Sequence, residues 1–284
     1  MKRHLTRRLR RCLLGLCTLL VLQVAPVIGF AQASYDIHSQ NTPTPLIDAP
    51  GVNSLFSFPA ETELQQDAPI LRPNQALQVF QSHDQWQVAV LQGYTDDTVI
   101  IAALPETSQE GALELQRDFV APRSLKYKTI NFTGDTFVKS KVIARVLQSE
   151  VDQVEKGDRS QTALTEMNYE FSFKGESRLN GHESYVYQVK PRRKKVGLFK
   201  GYIYLETHIG NLMRSEGAIA KSPSAFVRKV EFVQEYVQVN HYTLPIHLHT
   251  TLRVRTLGRV VVDVYHGDYQ PNPFFASISV QSQQ

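Results

Sequence analysis

The chain has 284 residues, with 31 basic and 27 acidic side chains and two cysteines. Both cysteines and six of the basic residues lie in the first 33 positions, where no acidic residue occurs, so residues 34–284 carry 25 basic against 27 acidic groups. That balance removes the main support for a nucleic-acid partner, and the absence of a thiol from residues 34–284 excludes disulfides, zinc–thiolate sites and a cysteine nucleophile there.

Residues 1–33 read as a cleavable export signal. Lys2, Arg3, Arg7, Arg8, Arg10 and Arg11 form a basic start, an apolar run follows from Cys12 to Val24, and Ala31-Gln32-Ala33 supplies small residues at a cleavage site. The apolar run falls short of the roughly 20 residues that span a bilayer. Leu16 before Cys17 argues against lipidation there. Residues 34–70 are polar and interrupted by Pro43, Pro45, Pro50, Pro59 and Pro69, the composition of a flexible arm. Residues 73–84 predict a short helix, with Pro73 in the first turn and Ala76, Leu77 and Phe80 on one face.

Strands are predicted next at 87–94, 98–104, 112–120 and 125–132, from Val/Ile/Leu enrichment and alternation. In the third of these, Leu113, Leu115 and Phe119 share one side. A helix follows over 136–155. Asp135 or Thr136 caps it, Val138, Val142, Ile143, Val146, Leu147 and Val154 form its apolar face, and Gly157 stops it. Strands return at 168–178, 184–191, 198–208, 212–218, 225–239, 244–257 and 259–269, with an Asn180-Gly181 hairpin turn and a second turn at Gly210. The tail 271–284 is polar after Phe274 and Phe275.

The run Phe199-Lys200-Gly201-Tyr202-Ile203-Tyr204-Leu205-Glu206, then Gly210, Leu212 and Arg214-Ser215-Glu216-Gly217, forms a strand, a turn and a return strand bearing an arginine. Val230-Glu231-Phe232, Glu235-Tyr236 and Tyr242-Thr243-Leu244-Pro245 extend the pattern. It resembles the outer-membrane lipoprotein-sorting family of periplasmic carriers and the lipoprotein-like domain of periplasmic anti-sigma regulators. The resemblance covers about 95–270 and is best over 168–269, with Glu206 where that family usually has Asp. It implies an α+β, mostly β fold: a curved antiparallel sheet forming a half-open barrel around a helical plug, with an apolar cavity for acyl chains. The element count agrees independently, because one helix cannot cover the apolar face of about ten strands unless the sheet curls.

The expected organisation is a signal at 1–33, an arm at 34–70, a half-barrel domain at 71–270 and a tail at 271–284. The expected role is non-covalent binding of lipid or lipoprotein acyl chains in the periplasm, with outer-membrane association as a variant. The alternative is a periplasmic sensor or interaction module that docks envelope proteins and holds no ligand. Tyr185, Tyr187, Ile203, Leu205, Val142 and Val146 are the candidate cavity lining. Lys190, Arg192, Arg193, Lys194 and Lys195 form a basic cluster suited to an anionic membrane surface. His247 and His249 point to one side of a strand, with His241 and His266 the only guesses for a third ligand. Arg253 and Arg255 on the same face disfavour a cation, so two ordinary strand histidines are expected. No hydrolase, phosphate-loop or dinucleotide fingerprint is present, so neither an enzyme nor a cofactor is expected.

Overall fold

The structure, a computed structural model, describes residues 69–222 and 224–271. The export signal, nearly all of the arm and the tail after Pro271 lie outside the described residues. Helix α1 (Pro73–Val90) comes first, followed by β1 (Gly93–Leu104), β2 (Gln109–Val120) and β3 (Ser124–Gly134). A helical run then starts at Thr136–Val138, passes through a π turn at Lys139–Ile143 and continues as α2 (Ala144–Lys156). A 3₁₀ turn at Arg159–Gln161 leads to β4 (Tyr169–Leu179), β5 (His182–Pro191), β6 (Phe199–Glu206), β7 (Leu212–Ile219), β8 (Val227–Val239), β9 (Tyr242–Val254) and β10 (Gly258–Pro271).

All ten strands form one antiparallel sheet in the order β3-β2-β1-β10-β9-β8-β7-β6-β5-β4. The sheet is curved and does not close, so β3 and β4 are free edges. The helical run connects those two edges, which is why it crosses the trough of the sheet. Asp135 caps its start by accepting the Phe137 amide at 2.7 Å, and the Gly157 amide ends it on the Gln153 carbonyl. The tight turn between β4 and β5 has Asn180 at φ 52° and Gly181 at φ 87°, the geometry an Asn-Gly pair favours.

Both helical segments pack into the trough. Ala76 and Phe80 of α1, and Val138, Val142, Ile143 and Val146 of the second run, meet the inward residues of the sheet in one core. Helix α1 is longer than the sequence predicts. Residues 87–90, expected as the start of a strand, belong to the helix because no breaker intervenes before Gly93, and Ala76, Phe80, Asp84 and Gln87 keep a helical face against the sheet. Gln87 is buried there and satisfies both backbone groups of Thr243: its Oε1 accepts from the Thr243 amide at 2.7 Å, and its Nε2 donates to the carbonyl at 3.3 Å. Trp86 lies outside, stacked between His83 and Tyr242.

Candidate functional site

The six proposed lining residues come together. Tyr185, Tyr187, Ile203, Leu205, Val142 and Val146 are all buried in the same core cluster. Around them the trough is filled rather than hollow. The tyrosine hydroxyls donate to the carbonyls of Leu71 and Pro73, both at 2.6 Å, and so fix the start of α1 against β5. None of the six lines a cavity found at the end of the trough among the described residues.

That cavity lies at one end of the trough and measures about 220 Å³. Its walls come from Tyr94 and Phe119 on β1 and β2, from Pro122, Arg123 and Leu125 around the β2–β3 turn, and from Glu150, Gln153 and Val154 on α2. The loop Gly157, Asp158, Arg159, Ser160 and Thr162 closes it. The volume is below the roughly 300–1,000 Å³ usual for small-molecule sites.

Behind the cavity sits a buried polar network on the inner face. Asp96 of β1 lies directly opposite Arg117 of β2. Arg117 donates from Nε to Asp96 Oδ1 at 2.7 Å and from a terminal nitrogen to Glu150 Oε1 at 2.6 Å. Its other terminal nitrogen reaches the hydroxyls of Tyr94 at 3.3 Å and Tyr269 at 3.1 Å. The remaining Glu150 oxygen accepts the Tyr127 hydroxyl at 2.5 Å. Thr98 donates to Asp96 Oδ2 at 2.8 Å, and His266 Nδ1 lies 3.1 Å from the same oxygen.

Burial alone would favour a neutral Asp96, but the Arg117 charge and the His266 contact hold its carboxyl below the usual range. Burial and Arg117 lower His266, so the ring is neutral and its Nδ1 hydrogen points at Asp96. The network thus ties β1, β2, β3, β10 and α2 together at one point. Asp96, Thr98 and His266 are all under a tenth exposed, so the trio is sealed from the cavity and from solvent. On α1, Asp84 is also buried; burial pushes its carboxyl up to about 6 against the opposing charge of Arg159.

The basic cluster spans the end of β5, which holds Lys190, and the β5–β6 loop, which holds Arg192, Arg193, Lys194 and Lys195. Lys190 and Arg192 each stand 3.7 Å from Glu170, Arg192 Nε donates to the Glu166 carbonyl at 2.7 Å, and Arg193 donates to Asn168 Oδ1 at 3.0 Å. Arg192, Arg193 and Lys194 are exposed, as are Met167 and Val196 nearby. Lys195 adds its charge to the field at Asp158, on the cavity rim.

The two strand histidines lie on the convex face. His247 Nε2 and His249 Nδ1 both stand 2.9 Å from Asp263 Oδ1, and Glu235 is 3.6 Å from the other His247 nitrogen. The candidates for a third ligand are not beside them: His266 faces inward, and the His241 carbonyl accepts from His83. Among the described residues no group of three or more His, Cys, Asp or Glu could hold a metal ion.

Burial lowers the His247 pKa, but Asp263 and Glu235 outweigh it and raise it to about 9. A histidine ionises at about 6.5 when unfolded, so its charged form stabilises the fold fully below pH 6.5, and that stabilisation is lost as pH rises through 9. Urea unfolding should therefore show a loss on the order of 2–3 kcal/mol across that window. His247→Gln should flatten the profile, and an unchanged slope would mean that His247 does not hold the extra proton.

This geometry defines a half-open antiparallel barrel with a helical plug, a filled core and a cavity at its rim. A model for a family of unknown function, DUF5686, matches residues 160–271. No curated protein matches the chain. Solved structures it resembles include a putative outer membrane lipoprotein-sorting protein domain from Vibrio parahaemolyticus. That match has 12% identity and a TM-score of 0.40, covering 72% of this chain and 96% of that one. Another is a DUF1329 family protein from Desulfovibrio piger, at 10% identity and a TM-score of 0.38, over 72% and 94%. A LolA superfamily protein from Nitrosomonas europaea matches at 11% identity and a TM-score of 0.33, over 68% and 93%. Identities and TM-scores this low transfer no function.

Proposed function

We propose that the chain is exported to the periplasm and that residues 71–270 carry a lipid or lipoprotein acyl chain non-covalently. The observation that supports this most directly is the rim cavity, with Phe119, Pro122, Leu125 and Val154 in its walls beside the amphipathic helix α2. Each methylene placed there contributes on the order of 0.8 kcal/mol. The cavity admits part of one chain; a longer chain enters the trough only as the helical run from Thr136 to Lys156 lifts Val142 and Val146 away from the sheet, exposing the surface of Tyr185, Tyr187, Ile203 and Leu205. The exposed Arg192, Arg193 and Lys194, with Lys190 and Lys195, then face an anionic membrane surface during loading or release.

The filled core also favours a second reading, a module that docks an envelope protein and holds no ligand. Native mass spectrometry of residues 34–284 purified from their own envelope separates the two. An adduct of lipid or lipopeptide mass, lost on denaturation, supports the carrier. A clean mass with no uptake of a fluorescent acyl probe supports the docking module. Val154 is only partly buried, so Val154→Trp should fill the cavity without disturbing the core. Probe uptake should fall at least about tenfold while the urea midpoint stays put, since a lost few-methylene contact is worth more than 1.4 kcal/mol.

A further inference from the structure

Two loops meet beside the start of β4. In the first, the Asn168 amide donates to the Thr165 carbonyl at 3.0 Å, so Thr165 to Asn168 form a tight turn with Met167 in its third position. The second is the β5–β6 loop, residues 192–198. Asn168 joins them and is fully buried. Its Nδ2 donates to the carbonyls of Ser160 and Ala163, both at 2.9 Å, while its own carbonyl accepts the Arg192 amide at 2.8 Å and its Oδ1 accepts from Arg193. Gly197 lies so close to Thr162 that a Cβ there would sit 2.7 Å from the threonine methyl carbon. Both loops are thus fixed to each other and to Ser160 and Thr162, which line the rim cavity.

This rigid frame presents two apolar side chains to solvent. Met167 is 81% exposed and Val196 41%. A tight turn asks for Gly, Asn, Asp, Ser or Pro, and nothing in its geometry requires a long apolar residue. Single exposed apolar side chains are ordinary. These two, however, stand among Lys190, Arg192, Arg193, Lys194 and Lys195, with Glu166 and Glu170 the acids of the two segments, so five cations face two carboxylates and leave an excess of three positive charges. Asp158, in the field of Lys195, already accepts from Ser160 and Gln161.

We propose that this patch seats the protein on an anionic bilayer, with Met167 and Val196 below the head groups and the cations among the phosphates. The proposal rests on the carrier reading above and deepens its membrane contact, from attraction to insertion at named residues. The unbranched thioether of Met167 adapts to disordered acyl chains. A basic cluster and an apolar tip are the two weak signals that together hold a protein on a membrane. Two apolar side chains among lysines are a poor core for a protein interface, where lysine is depleted. Seated this way, the protein brings the Ser160 and Thr162 wall of the rim cavity toward the lipid.

Residues 34–284 contain no cysteine, so Met167→Cys accepts a single nitrobenzoxadiazole label. With vesicles of phosphatidylcholine and phosphatidylglycerol in equal parts, its emission should brighten and shift to the blue. Pure phosphatidylcholine vesicles should leave it dim, and salt should weaken the response. A label at Glu183→Cys, exposed at the opposite end of β5, should not respond. In flotation with the anionic vesicles, Met167→Gln should weaken binding about tenfold and Lys194→Gln about fivefold. Both side chains are exposed, so neither change should move the urea midpoint. Flotation with a dim label at 167 overturns insertion and leaves a purely electrostatic contact. An equal response to neutral vesicles, or from both labels, shows unoriented adsorption and overturns the seat. Absence of flotation overturns it too, and a response to polyglutamate in its place assigns the patch to an acidic protein. Uptake of the acyl probe by the unaltered protein tests the carrier reading separately in every case.

Discussion

Arg117→Met should be among the most damaging single substitutions in this fold, with a cost of about 3–5 kcal/mol. The side chain is buried and joins Asp96, Glu150, Tyr94 and Tyr269. Its removal leaves two carboxylates at the end of the trough without their cation, and an uncompensated buried charge costs far more than the lost attraction. Lysine would not restore the site, because a single ammonium cannot reach four partners in the plane of a guanidinium. Urea unfolding of the variant should show the loss at neutral pH, and partial recovery in an Arg117→Met, Asp96→Asn double variant that removes one of the stranded charges. A cost below 1 kcal/mol would mean that the network tolerates water and is not sealed.

Gly217→Ala should cost about 2–5 kcal/mol. Gly217 stands opposite Gly201 across β6 and β7. Its φ of 152° is one that side chains rarely adopt, and a Cβ there would sit 2.3 Å from the Lys200 carbonyl oxygen and 2.8 Å from Gly201 Cα. Both near atoms are backbone, so the strain cannot be relieved by a rotamer change. The next inward residue on β8 is Phe232, which meets Phe199 edge-on at 5.2 Å between centroids. The paired glycines leave the inner face of β6 and β7 bare beside that aromatic pair. The expected result is a lower urea midpoint with an unchanged slope; a midpoint within experimental error of the parent would show that the strands can separate locally at no cost.

Much of the architecture was legible in residue patterns. Alternation placed the strands, Asp135 and Gly157 marked both ends of the long helix, and Asn180-Gly181 fixed a hairpin. Alternation failed at 87–90, where Val88 and Val90 mimic a strand while Gln87 continues the buried face of a helix. The buried network had a signal that alternation alone does not interpret. Arg117 occupies the inward position between Leu115 and Phe119, and Glu150, expected on the polar face of the helix with Lys139, Lys141, Arg145 and Asp152, lies instead beside Val146 and Val154 on its apolar side. A charge on a buried face demands a partner, but the partner of Arg117 comes from β1, α2 and β10 at once, and only the register of the sheet brings them together. The cavity was less legible still. Its walls are a turn, a helix end and a loop, and Arg159 carries no periodicity to mark it.

The pairing of β1 with β10 has a kinetic consequence. Val99 lies opposite Tyr265, so the sheet is completed only when residues near opposite ends of the described chain find each other. Closing so long a loop is slow, and non-local antiparallel pairing belongs to the slow end of folding rates. The meander from β4 to β9 can assemble from neighbours alone, whereas the network draws on β1, β2, α2 and β10. The network is therefore complete only once β10 has paired. Until β10 pairs with β1, the Arg117 network lacks its Tyr269 and His266 members and β1 stands as an open edge.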